Sequence, residues 1–255
     1  MVTFTVLGSG SCVPSYRRSA AAYHVRWSDG SLLMDLGPGA LRRATEAGID
    51  WSSADAVLLT HFHMDHFADL LPYLFALKNT PGLGRSRELV LFGPVGVVDV
   101  MTGLAGLFGS WVRMPGIPLR IMEYGDGPVE IGRCRVEPMP VRHSRGALGF
   151  RLEVGKVAIA YSGDTGPCDE LIHLCREADL AVLECAATEE VLANHLTPEE
   201  AGRIANEAGV RTLLLSHFYP SARPDDVLAR CRKTYSGTIL LAEDLQQIVL
   251  AEPPK

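Results

Sequence analysis

Apolar and polar residues alternate in the opening segment, and this period of two predicts a strand over 2–7. Strand patterns follow over 21–27 and 31–36, with Asp29-Gly30 between them as a hairpin turn. Pro38 opens a helix predicted to run to Ala47 and to close at Gly48. The apolar run 54–60 reads as a buried strand, and it ends where a group of histidines begins. Beyond it, 67–78 is predicted helical despite Pro72, 88–92 is a strand, and 95–108 is a Gly-rich helix. Strands are predicted around 119–122, 134–141, 148–154 and 157–161. Helices over 168–176, 198–208 and 224–232 then alternate with strands over 180–184 and 212–216. Two β-rich halves, each with helices, suit an α/β sandwich of two sheets with helices outside. No repeat or linker divides the chain, and the longest irregular stretch, 79–87, is too short and too early to separate domains. A single domain over 1–255 is expected.

Composition narrows the function classes. Hydrophobic residues make up 47%, enough for a sizeable core. No apolar run reaches the ~18 residues of a membrane span. The N-terminal segment lacks the basic start and small-residue cleavage site of a signal peptide. Cys12, Cys134, Cys168, Cys175, Cys185 and Cys231 form no CxxC pair, so reduced thiols in a cytoplasmic protein are expected. A formal charge of −6 argues against a broad electropositive face, although Arg17-Arg18 and Arg42-Arg43 remain local basic patches.

The chemistry is concentrated in His61-Phe62-His63-Met64-Asp65-His66. Imidazole and carboxylate are the zinc donors of choice outside thiolate sites, and in a turn after a buried strand they can converge on one point. A solvated polar loop is the alternative reading, but Leu58-Leu59 and Phe67 bury both flanks. Functional residues commonly sit in such strand-end loops, held by a rigid scaffold.

This HxHxDH segment resembles the signature of the metallo-β-lactamase superfamily. Three later motifs resemble the superfamily's in order: His143 in Arg142-His143-Ser144, Asp164 in Gly163-Asp164-Thr165, and His217 in Ser216-His217-Phe218, each just after a predicted strand. The resemblance covers nearly the whole chain. It implies an αββα sandwich of two mixed sheets flanked by helices, holding two Zn²⁺ ions, with Mn²⁺ or Fe as alternatives. His61, His63 and His143 would bind one ion, Asp65, His66 and His217 the other, and Asp164 would bridge them. A hydroxide held between the ions would be the nucleophile. Asp65 would both bind metal and orient that water.

Within the superfamily the chain resembles the ribonuclease Z-like phosphodiesterases. The resemblance rests on Leu7-Gly8-Ser9-Gly10-Ser11 with Arg18-Ser19, on Leu33-Met34-Asp35-Leu36-Gly37-Pro38-Gly39, on Leu91-Phe92-Gly93-Pro94 and on His195-Leu196-Thr197. It implies that His195 is catalytic, serving the scissile phosphate or the leaving oxygen. Thr197-Pro198-Glu199-Glu200 is also a good helix cap, and a loop residue before a cap is the structural alternative for His195. Glu184 is either an orienter of the site or a buried carboxylate partnered by Arg. The chain departs from ribonuclease Z at the long basic arm that grips tRNA: only residues 144–163 separate His143 from Asp164, room for two strands and a turn.

A small phosphodiester or nucleotide-type compound is therefore the expected substrate. RNA is disfavoured by the charge and the missing arm. A tRNA 3′-processing endoribonuclease, a thioester or lactone hydrolase on the same metal site, and a non-catalytic binding protein are the alternatives. β-Lactam hydrolysis fits poorly, since no Cys stands among the second-site ligands. A homodimer and no membrane contact are expected. Phe108, Trp111 and Met114 are candidates for the substrate mouth or for a dimer contact.

Overall fold

The computed structural model describes residues 1–114, 116–127, 129–186 and 192–251, with the Trp111 side chain outside this set. Among the described residues, fourteen strands form two sheets of seven. The first sheet contains β1 (Val2–Gly8), β2 (Ala22–Trp27), β3 (Gly30–Leu36), β4 (Ala56–Leu58), β5 (Leu89–Gly93) and β6 (Leu119–Glu123), with β14 (Gln247–Leu250) added at the β1 edge. The second contains β7 (Val129–Ile131), β8 (Cys134–Pro140), β9 (Leu148–Val154), β10 (Val157–Tyr161), β11 (Leu180–Glu184), β12 (Thr212–Ser216) and β13 (Thr238–Leu241). Each sheet has three antiparallel pairings followed by three parallel ones, so the two halves repeat one plan.

Helices cover the outer faces. They are α1 (Ala40–Glu46), α2 (Met64–Phe67), α3 (Leu70–Asn79), α4 (Val97–Phe108) and α5 (Ser110–Arg113), then α6 (Asp169–Cys175), α7 (Pro198–Glu207) and α8 (Pro224–Cys231). The period-two pattern explains the layering. In β3, Leu32 and Met34 enter the core between the sheets while Leu33 packs outward beneath helices, and a register shift opposite Ala22–Tyr23 turns Leu36 outward as well. In β12, Leu214 points inward and Leu213 and Leu215 outward. Strands covered on both faces read as continuous apolar runs rather than alternating ones. Three cores result: one between the sheets and one under each helical layer. The expected αββα sandwich is the observed architecture. Among the described residues no helix is long and apolar enough to cross a membrane.

The differences from expectation have local causes. The strand predicted over 54–60 is confined to Ala56–Leu58, because the chain then turns into the histidine segment. The helix predicted from Phe67 begins earlier: α2 places Asp65 and His66 on a turn of helix, and α3 follows. Pro72 sits in the first turn of α3, where its missing N–H is no loss. β7, β13 and β14 have no counterpart in the predicted elements. They are three or four residues long, too short for a period to register.

Phe150 is fully buried between the sheets and meets Phe92 edge-on, with ring centroids 6.0 Å apart. Phe150→Ala is expected to cost about 3–5 kcal/mol. Urea unfolding would record this as a lower midpoint at unchanged slope.

Candidate metal centre

The predicted site residues lie just beyond the C-terminal ends of four strands. His61 and His63 follow β4, with Asp65 and His66 on α2; His143 follows β8, Asp164 follows β10, and His217 follows β12. These loops come very close together. A side chain at Gly37 would meet the Asp65 carbonyl, its Cβ lying 2.1 Å from the oxygen. Gly163 combines φ 58° with a Cβ position 2.8 Å from Thr60, so only glycine serves there without strain.

Two groups of donor atoms share Asp164, and a third cluster, Glu184, His195 and His217, lies beside them. His61, His63, His143 and Asp164 make one; Asp65, His66, Asp164 and His217 make the other; within each group the atoms lie within 4.8 Å of one another. Asp164 belongs to both. Its Oδ2 is 3.9 Å from His61 Nε2 and 3.8 Å from His143 Nε2, while its Oδ1 is 3.1 Å from His66 Nε2 and 3.3 Å from His217 Nε2. His217 Nε2 also stands 3.3 Å from Asp65 Oδ2. His61 Nε2, His66 Nε2 and Asp164 Oδ1 are buried and have no hydrogen-bond partner among the described residues. Orphaned donor atoms converging from several elements are costly unless something fills the space between them. Imidazole nitrogens and carboxylate oxygens suit divalent cations, so the residues fit metal at both groups.

The atoms behind these groups fix which nitrogen is free. His66 Nδ1 lies 2.7 Å from Asp35 Oδ2 and donates to it, which leaves the Nε2 lone pair facing Asp164. The Thr60 hydroxyl donates to Asp35 Oδ2 at 2.8 Å, so toward His61 Nδ1, at 2.9 Å, it acts as acceptor. His61 therefore carries its proton on Nδ1 and also presents Nε2. His143 Nδ1 donates to the Asn194 carbonyl at 3.2 Å, with the same result. Such partners hold a ligand's tautomer and ring plane. Burial, reinforced by the neighbouring imidazoles, pushes His61 far below the usual histidine range and keeps it neutral. For His66 burial acts in the same direction, but Asp164 and Asp35 outweigh it and raise its pKa.

His195 stands beside both groups, its ring centroid 5.0 Å from that of His143 and 5.9 Å from that of His217. Its Nδ1 lies 2.7 Å from Glu184 Oε1. Glu184 is buried and accepts from the Thr165 and Ala186 backbone N–H groups. Its side-chain partner is this histidine; no arginine pairs with it among the described residues. Burial disfavours charge on His195, yet the hydrogen bond to Glu184 prevails and raises its pKa. The expected cap is present as well: Thr197 and Glu200 form a reciprocal capping box that anchors the loop carrying His195.

The two groups open into a cleft of about 640 Å³ that also includes His195. One wall comes from the β1–β2 loop, through Val13, Pro14 and Arg18, and Tyr219 and Met64 complete the mouth. Neither Phe108 nor Met114 lines it. Met114 is buried under the helical layer of the first sheet, and Phe108 is exposed at the end of α4. No sequence motif marks Asp35, Thr60 or Tyr161 as a site residue; the one signal for Asp35 is a lone charge inside the apolar run 32–36.

The profile described as "Beta-lactamase superfamily domain" matches residues 31–218. Ribonuclease Z of Mycobacterium bovis is 30% identical over 274 aligned residues, spanning 97% of this chain and 98% of the relative. The metallo-beta-lactamase fold protein YhfI from Bacillus subtilis superposes with a TM-score of 0.84 at 25% identity, covering 98% of this chain and 100% of that one. The short form of human tRNase Z superposes with a TM-score of 0.76 at 22% identity over 99% of this chain and 100% of that one, a likeness of fold.

Asp35→Asn removes the acceptor behind His66 and disturbs the Thr60 contact behind His61. Its affinity for divalent cations is expected to fall about 10–100-fold. A chelator-competition titration measures this, and an affinity equal to that of the unaltered protein would dismiss the role given to Asp35.

Proposed function

The chain belongs to the beta-lactamase superfamily, in its ribonuclease Z-like branch, and from that premise we propose that it is a dinuclear metal-dependent phosphodiesterase acting on small phosphodiesters. The observation that carries this reading is His195, held by Glu184, which lines the same cleft as members of both donor groups and stands outside the two sets that share Asp164. His61, His63 and His143 would hold one Zn²⁺, Asp65, His66 and His217 the other, and Asp164 would serve both. When bound, such ions polarise a phosphoryl oxygen and lower the pKa of water, so that a nucleophile is available at neutral pH.

The protein's own residues do the rest. Asp65, on the first turn of α2, accepts a hydrogen bond from the attacking water and orients it. His195 has Nδ1 committed to Glu184, so Nε2 is the nitrogen left for substrate. In its protonated form, favoured by Glu184, it donates from Nε2 to a phosphoryl oxygen and then to the departing alkoxide. Neutral His195 regains a proton from solvent. Glu184 holds the ring in place and stabilises the charge that it carries before transfer.

Small substrates are favoured over structured RNA for three reasons. Residues 148–161 form the β9–β10 hairpin, with no arm between His143 and Asp164. The net charge is −6. Arg18, the one lysine or arginine lining the cleft among the described residues, is already engaged, donating to Ser9 Oγ at 2.6 Å and lying 4.8 Å above the Phe218 ring. All six cysteines are unpaired, which supports a reducing, cytoplasmic setting.

Bis(p-nitrophenyl) phosphate is expected to be hydrolysed faster than a β-lactam or a glutathione thioester in side-by-side assays. A clear thioester preference would move the protein to the thioesterase alternative. His195→Ala is expected to keep its metal, read by elemental analysis, and to lose about 10²–10⁴ in rate on a ribose-type leaving group. The loss should be smaller on p-nitrophenolate, which needs little protonation. Equal small losses on both would leave His195 a loop residue only.

A further inference from the structure

The outer face of the first sheet is apolar where α1 covers it and polar beyond the end of that helix. Leu7, Ala22, Leu33 and Leu36 pack there with Ala40 and Ala44. Further along the same face the register sets two polar rows side by side. Gln247 pairs with Thr5 and Thr5 with His24; Thr3 pairs with Arg26 and Arg26 with Ser31. Alternation puts these side chains outside, since Phe4, Val25 and Leu32 enter the core between the sheets. The segment that leaves α1, through Ala47, Ile49 and Asp50, supplies a facing wall, and the two walls enclose a cleft of about 290 Å³.

The fold itself makes no use of these polar groups. Among the described residues, the side chains of Thr3, Thr5, His24, Arg26, Ser31 and Gln247 make no hydrogen bond and no ion pair. His24 is 4% exposed, Thr5 1% and Ser31 5%. Polar groups buried to this extent are normally hydrogen-bonded, and the cleft is where these would find partners. Burial, reinforced by Arg26, pushes His24 down to about 4 and leaves a neutral imidazole with one donor and one acceptor nitrogen. The facing wall is held in place. Ile49 N–H donates to the Ala44 carbonyl at 2.9 Å, and Arg85 donates to the Ser52 carbonyl at 2.6 Å and the Ala54 carbonyl at 2.8 Å. On this wall Asp50 Oδ1 accepts from Ser52 N–H at 3.1 Å, while its Oδ2 has no partner among the described residues. A guanidinium and a carboxylate thus line one cleft without closing on each other.

We propose that this cleft binds a small zwitterion of the α-amino acid class, with its carboxylate on Arg26 and the neighbouring hydroxyls and its ammonium on Asp50. The fork of a guanidinium matches a carboxylate in shape as well as charge. A plain anion would meet the Asp50 carboxylate, and a plain amine would meet Arg26; separated charges of both signs answer both walls. Ile49 offers apolar surface to a side chain. The cleft shares no residue with the one at the metal donors, so the proposal goes beyond the hydrolase reading and stands apart from it.

Three probes separate the two charges: L-valine, 3-methylbutanoate, which is valine without its amine, and isobutylamine, which is valine without its carboxylate. NMR titrations that follow the His24 ring resonances give the affinity for each and place the binding in this cleft. The unaltered protein is expected to bind valine about tenfold or more tightly than either analogue, the scale of one charge-assisted hydrogen bond. Arg26 and Asp50 are both exposed, so their substitution leaves the core intact. Arg26→Gln should bring valine down to the affinity of isobutylamine, and Asp50→Asn to that of 3-methylbutanoate. Hydrolysis of bis(p-nitrophenyl) phosphate by the same samples reports on the metal centre separately. His24 resonances unmoved by valine, an affinity for either analogue equal to that for valine, or valine binding unchanged in both variants would overturn the site.

Discussion

The buried carboxylate of Asp35 is the point on which the site is built. It is fully shielded from solvent at the end of β3, and its backbone has φ 53°. Its Oδ1 accepts from Thr60 N–H at 2.8 Å; its Oδ2 accepts from the Thr60 hydroxyl, from Tyr161 at 2.6 Å and from His66 Nδ1. A buried charge without partners costs several kcal/mol, so the fold must supply all of these donors together. Tyr161 comes from the second sheet and Thr60 from the first. One side chain thus joins the sheets, sets the start of the histidine segment and orients a member of each donor group. A left-handed backbone at a residue with a side chain persists only where surrounding contacts over-determine it. Those contacts are present here, and His217, at φ 62°, sits in the same rim.

The repeated sheet plan explains why the site lies where it does. In each half, strands that run antiparallel at one side become parallel at the other. Parallel strands need crossovers, which place helices outside and loops at the C-terminal ends. Ligand loops from both halves therefore meet at one rim, and Asp164 stands where they meet, one oxygen toward each group. The buried members of the set, His61, His66, Asp164 and His217, are enclosed by packed side chains, and Thr60 and Asp35 hold His61 and His66 from behind, so the donor atoms have little freedom to relax apart.

Charge and shape then divide the work of the cleft. One side carries members of both donor groups and His195, and the other is formed by the β1–β2 loop, with Val13, Pro14 and Arg18. Binding energy from a part of the substrate that does not react can position the part that does.

Several features were legible in the sequence for physical reasons. Continuous apolar runs covered on both faces mark parallel strands, and most strands of the two sheets stood out in this way. The seven candidate ligands stood out because chemically demanding residues sat at the ends of those runs, and the structure gathers them into two groups. Short strands, the helix of Met64–Phe67 and the partner of Glu184 were not legible. A three-residue strand has no period, and Glu184 and His195 are separated by a loop whose path no pattern encodes. The same holds for Asp35 with Tyr161, which are 126 residues apart. The sequence alone determined the layers, their order and the kinds of donor atom available. Only the tertiary structure decided which carboxylate backs which imidazole, which nitrogen is left free and which apolar side chains remain in water. Those outcomes depend on distances between strands that are remote in the chain, whereas periodicity and motif spacing report only on neighbours.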